Sequence, residues 1–129
     1  MKKENYDQMN EFEHKYWWHV GRRFILARLI KKYAVCRGNR LSIVDVGCGT
    51  GGNFEFLESF GHVIGADNSV FAVEYCRKKN KAVKLIAGDA LPFPDESCDL
   101  VTIFDVLEHI ENDGGMLEEC RRILKKGGK

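Results

Sequence analysis

The chain has 129 residues, 44% of them hydrophobic, which is typical of one globular domain with an apolar core. Its 20 lysines and arginines nearly balance 19 aspartates and glutamates, giving a net charge of +1. This balance offers no overall electrostatic basis for binding nucleic acid or an anionic membrane, so neither is indicated as a partner.

The N-terminal sequence MKKENYDQMNEFEHKYWW is too polar for a signal peptide, and no later stretch approaches the roughly 18 to 20 apolar residues that cross a bilayer. We therefore expect no membrane insertion. Five cysteines occur without a CxxC pair, a pattern of free thiols and not of a disulfide or zinc framework. The sequence thus predicts a cytoplasmic protein with no metal site.

Residues 1–40 form the first predicted unit, an N-terminal helical segment. Leu26, Leu29, Ile30 and Tyr33 recur at the spacing of one helix face, and Gly38-Asn39 marks the predicted helix end. An aromatic cluster, Tyr16-Trp17-Trp18, precedes this face. It is interpreted either as a cover over a bound ligand or as ordinary packing of the helix on a sheet.

Residues 41–129 alternate between strand and helix patterns, which indicates an α/β fold with a parallel sheet covered on both faces. The predicted strands are 41–46, 62–67, 83–87 and 99–104. The predicted helices are 53–60, 69–80 with Ser69 as N-cap, and a last helix ending at Gly127-Gly128. Their predicted packing residues are Phe71, Val73 and Cys76 in the middle helix, and Met116, Leu117, Cys120, Ile123 and Leu124 in the last.

A glycine loop, Gly47-Cys48-Gly49-Thr50-Gly51-Gly52, joins the first strand to the first helix of this domain. Glycines here allow a tight turn and a close ligand approach. The loop also satisfies GxGxxG, and Asp67 ends the second strand, where an acid receives ribose hydroxyls. These features alone fit a nicotinamide cofactor or S-adenosylmethionine equally well.

Asp45 favours the second ligand. It lies two residues before the first glycine, where a carboxylate is unfavourable beside a pyrophosphate but suits a sulfonium and an ammonium group. The competing interpretation is an acid that only caps the turn.

Several motifs in order resemble the class I S-adenosylmethionine-dependent methyltransferases. Val44-Asp45-Val46-Gly47-Cys48-Gly49-Thr50-Gly51 resembles motif I of that family. Gly65–Ser69, Gly88–Asp95, Ser97–Val101, Asp105–His109 and Ile123–Gly128 are similar to its later segments, although Lys126 replaces the usual proline. The best match is the group that acts on small molecules, quinones, sterols and lipids.

The resemblance implies a Rossmann-like parallel sheet, here ending after about four of the family's seven strands, and methyl transfer to a small-molecule acceptor with S-adenosylhomocysteine as product. It implies that Asp67 binds the ribose, that Asp89 reads the adenine, and that Leu91 and Val70 cover the base. The full predicted set of cofactor-binding residues is Asp45, Gly47, Cys48, Gly49, Thr50, Gly51, Asp67, Asn68, Asp89, Ala90, Leu91, Phe104 and Asp105. The alternative function is a cofactor-binding module or fragment without turnover.

No fixed catalytic residue is expected, because displacement at a sulfonium mainly requires alignment and exclusion of water. His109, Asp105 and His19 are the candidates, with His109 able to act as a base near neutral pH. Its competing role is structural, at a helix start. Since similar N-terminal helices in the family form a lid, Arg22 is expected either to meet an anionic ligand group or to remain a solvated charge.

The resemblance also implies the strand order 3-2-1-4, which makes the fourth strand an open sheet edge with apolar side chains on both faces. Such an edge tends to pair with another chain, which predicts a homodimer through this edge. The alternative cover is the N-terminal helix around Trp17 and Trp18.

Overall fold

The computed structural model describes Asn5, Gln8 and residues 17–34 and 40–129. The tyrosine of the aromatic cluster and the predicted helix end at 38–39 lie outside these residues. The described helices and strands, in chain order, are α1 (Trp17–Tyr33), β1 (Leu41–Val46), α2 (Phe54–Glu58), β2 (Gly61–Asp67), α3 (Val70–Lys78), β3 (Val83–Leu85), β4 (Leu100–Ile103), a 3-10 turn (Leu107–His109) and α4 (Asp113–Ile123).

The four strands form one sheet in the order β3-β2-β1-β4, and every neighbouring pair is parallel. In β1, Val44 is paired with Ile64 of β2 and with Val101 of β4. This arrangement confirms the α/β fold class and the predicted strand order. Since all strands run the same way, the loops that follow them meet at one edge of the sheet.

The core has two halves, one on each face of the sheet, because successive strand residues point to opposite faces. Leu41 and Ile43 of β1 belong to one half, and Val44 and Val46 belong to the other. Each half is completed by helices, and a fully buried Phe54 from α2 packs in the first. Burial on both faces explains why β1 reads as a continuous apolar run.

Helix α1 does not bury the face that the sequence predicts. Ile30 is buried, but Leu29 and Tyr33 are about half exposed. Trp17 and Trp18 are also exposed. Neither side chain packs on the sheet, which was one of the two interpretations of the aromatic cluster, and neither covers the β4 edge. The reason is that the packed face of α1 is partly occupied by two arginines, which bond to groups of the domain.

Two apolar side chains in the later helices are also exposed against expectation. Phe71 in α3 and Leu117 in α4 are each 50% exposed, while Ala72 is fully buried in the place predicted for Phe71. The caps explain the helix starts. Ser69 accepts a hydrogen bond from the Ala72 amide at 3.4 Å, and Asn112 accepts one from the Gly115 amide at 3.0 Å.

The outer side of β4 is partly paired within the chain. The Lys129 amide donates to the Asp99 carbonyl at 3.1 Å, and the Val101 amide donates to the Lys129 carbonyl at 2.9 Å. The described part of the chain contains no helix that is both long and apolar enough to span a bilayer.

Candidate functional site

A cleft of about 1110 Å³ lies at the edge of the sheet where all four strands end. Its walls include Gly47–Gly49 after β1, Asp67-Asn68 at the end of β2, Gly88–Ala90 after β3 and Phe104–Val106 after β4. Ligands of open parallel sheets bind in this position. The cleft is therefore the candidate functional site.

The glycine loop is held tightly against the second strand. The amides of Gly47 and Cys48 both donate to the Ala66 carbonyl, at 2.7 and 3.2 Å. Gly47 has a φ of 69°, and a Cβ added to it would overlap the Val106 side chain. Gly49, with a φ of 54°, also lies in the left-handed region. Glycine is thus required here for the backbone conformation and for the approach of the segment after β4.

Asp67 links the glycine loop to the start of α3. One carboxylate oxygen accepts the Gly49 amide and the other accepts the Ser69 amide, both at 2.9 Å. The residue is only 8% exposed but lines the cleft. Because each carboxylate oxygen offers about two acceptor sites, both can accept a further hydrogen bond from a ligand.

Asp45 lies behind the cleft and not on its surface. It is 1% exposed, and its Oδ1 accepts a hydrogen bond of 2.6 Å from the Thr102 hydroxyl of β4. From this position its carboxyl group lies beneath the glycine loop and does not reach the cleft surface. The predicted direct contact with the methionine part of the cofactor remains a prediction.

The loop after β3 presents exposed polar groups to the cleft and is anchored from behind. Asp89 and Ala90 line the cleft, whereas Leu91 is 3% exposed and packs in the core. The Leu91 amide donates to Glu119 at 2.7 Å, and its carbonyl accepts from Arg122 at 3.0 Å. The side chain of Leu91 points into the second half of the core, and its role as a cover over the base stays a prediction.

The anchor is an ion pair within α4. Arg122 donates to both carboxylate oxygens of Glu119 at 2.8 Å. These hydrogen bonds, together with the Leu91 amide, lower the pKa of Glu119 to about 2. Glu119 is therefore charged at neutral pH and holds the loop in place.

Helix α1 closes one end of the cleft. His19 and Arg22 both line it, and Arg22 forms an ion pair with Asp105, which has a φ of 56°. The Arg22 guanidinium also lies 5.6 Å from the centre of the Phe104 ring. A non-glycine residue in the left-handed region is uncommon and is often found at functional sites. Through this residue, the Arg22–Asp105 ion pair joins α1 to the loop after β4 at the cleft surface.

Two cysteines meet behind the glycine loop. The Cys76 thiol donates to the Gly49 carbonyl at 3.3 Å, and the Cys48 thiol lies 4.0 Å from the same oxygen. The hydrogen bond with Cys76, together with burial, raises the pKa of Cys48 well above its ordinary value. Cys48 is therefore a protonated, buried side chain that fills the space behind the loop.

The structure brings most of the predicted site residues together. Those that line the cleft are Gly47, Cys48, Gly49, Asp67, Asn68, Asp89, Ala90, Phe104 and Asp105, with His19 and His109 among the catalytic candidates. Four lie outside its lining: Asp45, Thr50, Gly51 and Leu91. Val70, predicted to cover the base, is 55% exposed and also outside the lining. His109 ends the 3-10 turn instead of starting a helix.

Sequence reasoning missed the wall that comes from the start of α4. Asn112, Gly115 and Met116 line the cleft there, and Ile110 precedes them. The N-cap pattern of Asn112 followed by two glycines was the available signal. Among the described residues no cluster of three or more histidine, cysteine or acidic side chains could hold a metal ion.

Comparison with known proteins places this geometry in context. The family described as "Methyltransferase domain" matches residues 44–129, which is most of the chain. An uncharacterised protein of Methanocaldococcus jannaschii is 40% identical over 86 residues, covering 67% of this chain and 40% of its own length. A demethylmenaquinone methyltransferase of Staphylococcus aureus is 35% identical, covering 95% of this chain and 52% of its own.

A solved structure from Methanococcus maripaludis, assigned as an S-adenosyl-L-methionine-dependent methyltransferase, has the same fold. It superimposes with a TM-score of 0.81 at 19% identity, covering 98% of this chain and 61% of that one. The chain spans about half the length of the curated relatives it matches.

Proposed function

We propose that this chain, which belongs to the class I S-adenosylmethionine-dependent methyltransferases, binds S-adenosylmethionine in the cleft. There it would support methyl transfer to a small-molecule acceptor. The observation that carries the proposal is Asp67. Its carboxylate holds the glycine loop and the start of α3, and it still faces the cleft with acceptor capacity for two hydroxyl groups.

The residues of the cleft fit this cofactor. The Asp67 carboxylate suits the two ribose hydroxyls, and Asp89 with the Ala90 amide suits the adenine edge. The backbone of Gly47–Gly49 would hold the methionine part. An ionised Asp45 beneath that loop would suit the positive sulfonium and ammonium groups and oppose a phosphate. The cleft volume is also sufficient for a ligand of this size, since small-molecule sites span roughly 300 to 1,000 Å³.

The cofactor supplies an electrophilic methyl group on a good leaving group, so the protein's task is alignment and proton removal. His109 and His19 both line the cleft, and an imidazole can accept the proton of an acceptor hydroxyl near neutral pH. We propose His109 as the first candidate base, because His19 already lies 3.3 Å from the Arg22 guanidinium. Residues 1–40 would act as the lid segment, through the Arg22–Asp105 pair.

The acceptor is proposed to be a small molecule that is at least partly apolar. Ile110 and Met116 give the wall beside His109 an apolar character. The similarity to a demethylmenaquinone methyltransferase supports the same class of acceptor. The free thiols of the chain support a cytoplasmic location for this reaction.

The second candidate is a cofactor-binding module without turnover. This candidate is favoured because the loops after all four strands, which form the walls of the cleft, belong to this chain. The chain nevertheless spans only about half the length of its curated relatives. Binding would then persist where catalysis does not.

Calorimetry and turnover together test these proposals. We expect S-adenosylhomocysteine to bind this chain at least a hundredfold more tightly than NADH. Incubation with methyl-labelled cofactor and a panel of quinols and phenols should then label one acceptor, and His109→Gln should reduce that labelling without changing cofactor affinity. Binding without labelling supports the module, and tighter binding of NADH contradicts both proposals.

A further inference from the structure

Helix α1 presents a strongly apolar surface to solvent. The packed face of the helix is formed by His19, Arg22, Arg23, Leu26, Ala27 and Ile30. We define the outward face by its exposed residues, which are Trp17, Trp18, Val20, Phe24, Ile25 and Leu29 together with Arg28, Lys31 and Lys32. Trp17 is 79% exposed and Phe24 is 67% exposed.

This arrangement is inverted relative to an ordinary surface helix, which buries its apolar stripe and solvates its charges. Arg22 faces inward because Asp105 pairs with it, and Arg23 because it donates to the Gly52 carbonyl at 2.7 Å. The inward position of these two cations leaves the large apolar residues outside. An exposed apolar patch of this kind marks an interaction surface.

The charge of α1 identifies what the outward face can bind. The helix contains five arginines and lysines and no acidic residue, although the whole chain has a net charge of only +1. Three of these cations, Arg28, Lys31 and Lys32, lie among the exposed apolar side chains. A second copy docked through this face would offer these cations only further apolar and cationic side chains of α1 and no acidic one. The complementary surface must therefore combine apolar depth with a layer of negative charge.

We propose that the outward face of α1 docks on an anionic lipid bilayer, with the helix lying in the interface. Tryptophan is enriched at the boundary between headgroups and acyl chains, and lysine and arginine bind anionic headgroups there. The opposite face of the same helix lines the cleft through His19 and Arg22. Docking would therefore place the bilayer within about one helix diameter, roughly 10 Å, of the cleft.

This inference depends on the surface of α1 and not on the proposed reaction. It adds a source for the acceptor, which would be delivered from the bilayer in which it is dissolved. The overall charge balance gives no sign of a membrane partner because the 19 acidic residues of the chain all lie outside α1, which carries five cations.

Tryptophan fluorescence tests the proposal directly, since Trp17 and Trp18 are the only two tryptophans in the chain and both lie on the outward face. Vesicles of phosphatidylglycerol should shift their emission to the blue, and brominated acyl chains should quench it. Vesicles of phosphatidylcholine should give at least a tenfold weaker response, and half-molar salt should abolish most of the binding. Unchanged emission, or equal binding to both lipids, overturns the proposal. So does a blue shift that depends on protein concentration in the absence of vesicles, which would identify a second copy as the occupant.

Variants with matched controls complete the test. Removing the three outward cations by Arg28→Gln, Lys31→Gln and Lys32→Gln should weaken binding by about a hundredfold, at about fivefold for each cation. The control removes three exposed cations elsewhere, by Arg77→Gln, Lys78→Gln and Arg121→Gln. It should change the affinity for phosphatidylglycerol vesicles much less.

The apolar contribution is tested by Phe24→Ser with Ile25→Ser, which keeps both tryptophans as reporters and should reduce binding at least tenfold. Phe71→Ser with Leu117→Ser removes a comparable exposed apolar pair from α3 and α4 as its control. Every variant should retain its circular dichroism spectrum and its affinity for S-adenosylhomocysteine, so that loss of vesicle binding is separate from loss of the cofactor site. Equal effects of the variants and their controls contradict the assignment to this face.

Discussion

Replacement of Asp67 by asparagine separates the two roles assigned to this carboxylate. The change keeps the shape of the side chain but removes its charge and one of its two acceptor oxygens. The amides of Gly49 and Ser69 each donate to a different oxygen, so one of them would face an NH₂ group in the variant. We expect a loss of about 1 to 3 kcal/mol of stability from that lost partner. Affinity for S-adenosylhomocysteine should fall by about 2 to 4 kcal/mol, roughly 30- to 1,000-fold.

A thermodynamic cycle isolates the ribose contact from the effect on the loop. The 2′-deoxy analogue of S-adenosylhomocysteine should bind the native chain about 1.5 to 3 kcal/mol more weakly, because a charge-assisted hydrogen bond is lost. In Asp67→Asn the same deletion should cost at most about half as much. Ser69→Ala serves as control, since it removes an N-cap at a cost of about 1 kcal/mol and leaves the carboxylate intact. Titration calorimetry that finds an equal penalty for the analogue in both proteins would refute the assignment of Asp67 to the ribose.

Three further predictions follow from the contacts around the cleft. Gly47→Ala should destabilise the domain because the new Cβ overlaps Val106 and because a φ of 69° disfavours alanine. Adding Val106→Ala should restore the steric part of that loss in urea unfolding and leave the backbone part; a double variant no more stable than Gly47→Ala would contradict the steric argument. Because the pKa of Glu119 is lower in the folded chain, its ion pair stabilises the fold at pH values above the unfolded pKa near 4.5, and this stability is lost as the pH falls towards 2. Glu119→Gln should therefore reduce the acid dependence of the unfolding free energy by about 1 to 2 kcal/mol. Pairing through the part of the β4 edge that Lys129 does not occupy should give a dimer by light scattering at about 100 μM, and a strictly monomeric chain would contradict it.

The strands were predictable because their signals are local and strong, whereas their order came from the resemblance to the methyltransferase family. β1 occupies the predicted range 41–46, since a β-branched run closed by glycine has few alternative conformations. Parallel pairing then places the loop after each strand at the same edge. The convergence of Gly49, Asp67 and Asp89 on one cleft follows from that topology.

The orientation of the helices was less predictable because periodicity does not show which face finds partners. In α1 the inward position of Arg22 and Arg23 depends on Asp105 and on the Gly52 carbonyl, which are distant in sequence. Leu91 likewise turns into the core because Glu119 and Arg122 of α4 hold its backbone. Such side chain to backbone contacts between distant segments leave no periodic signal in the sequence.

Backbone amide chemical shifts, followed by NMR during titration with S-adenosylhomocysteine, test the central claim most directly. We expect saturable shifts at the glycine loop, at Asn68 and Ser69, at Asp89 and Ala90, and at the residues after β4. Amides remote from the cleft, such as Lys125 and Lys126 after α4, should remain unchanged. Saturable shifts confined to those remote amides, or none at ligand concentrations in the millimolar range, would contradict a cofactor site in this cleft.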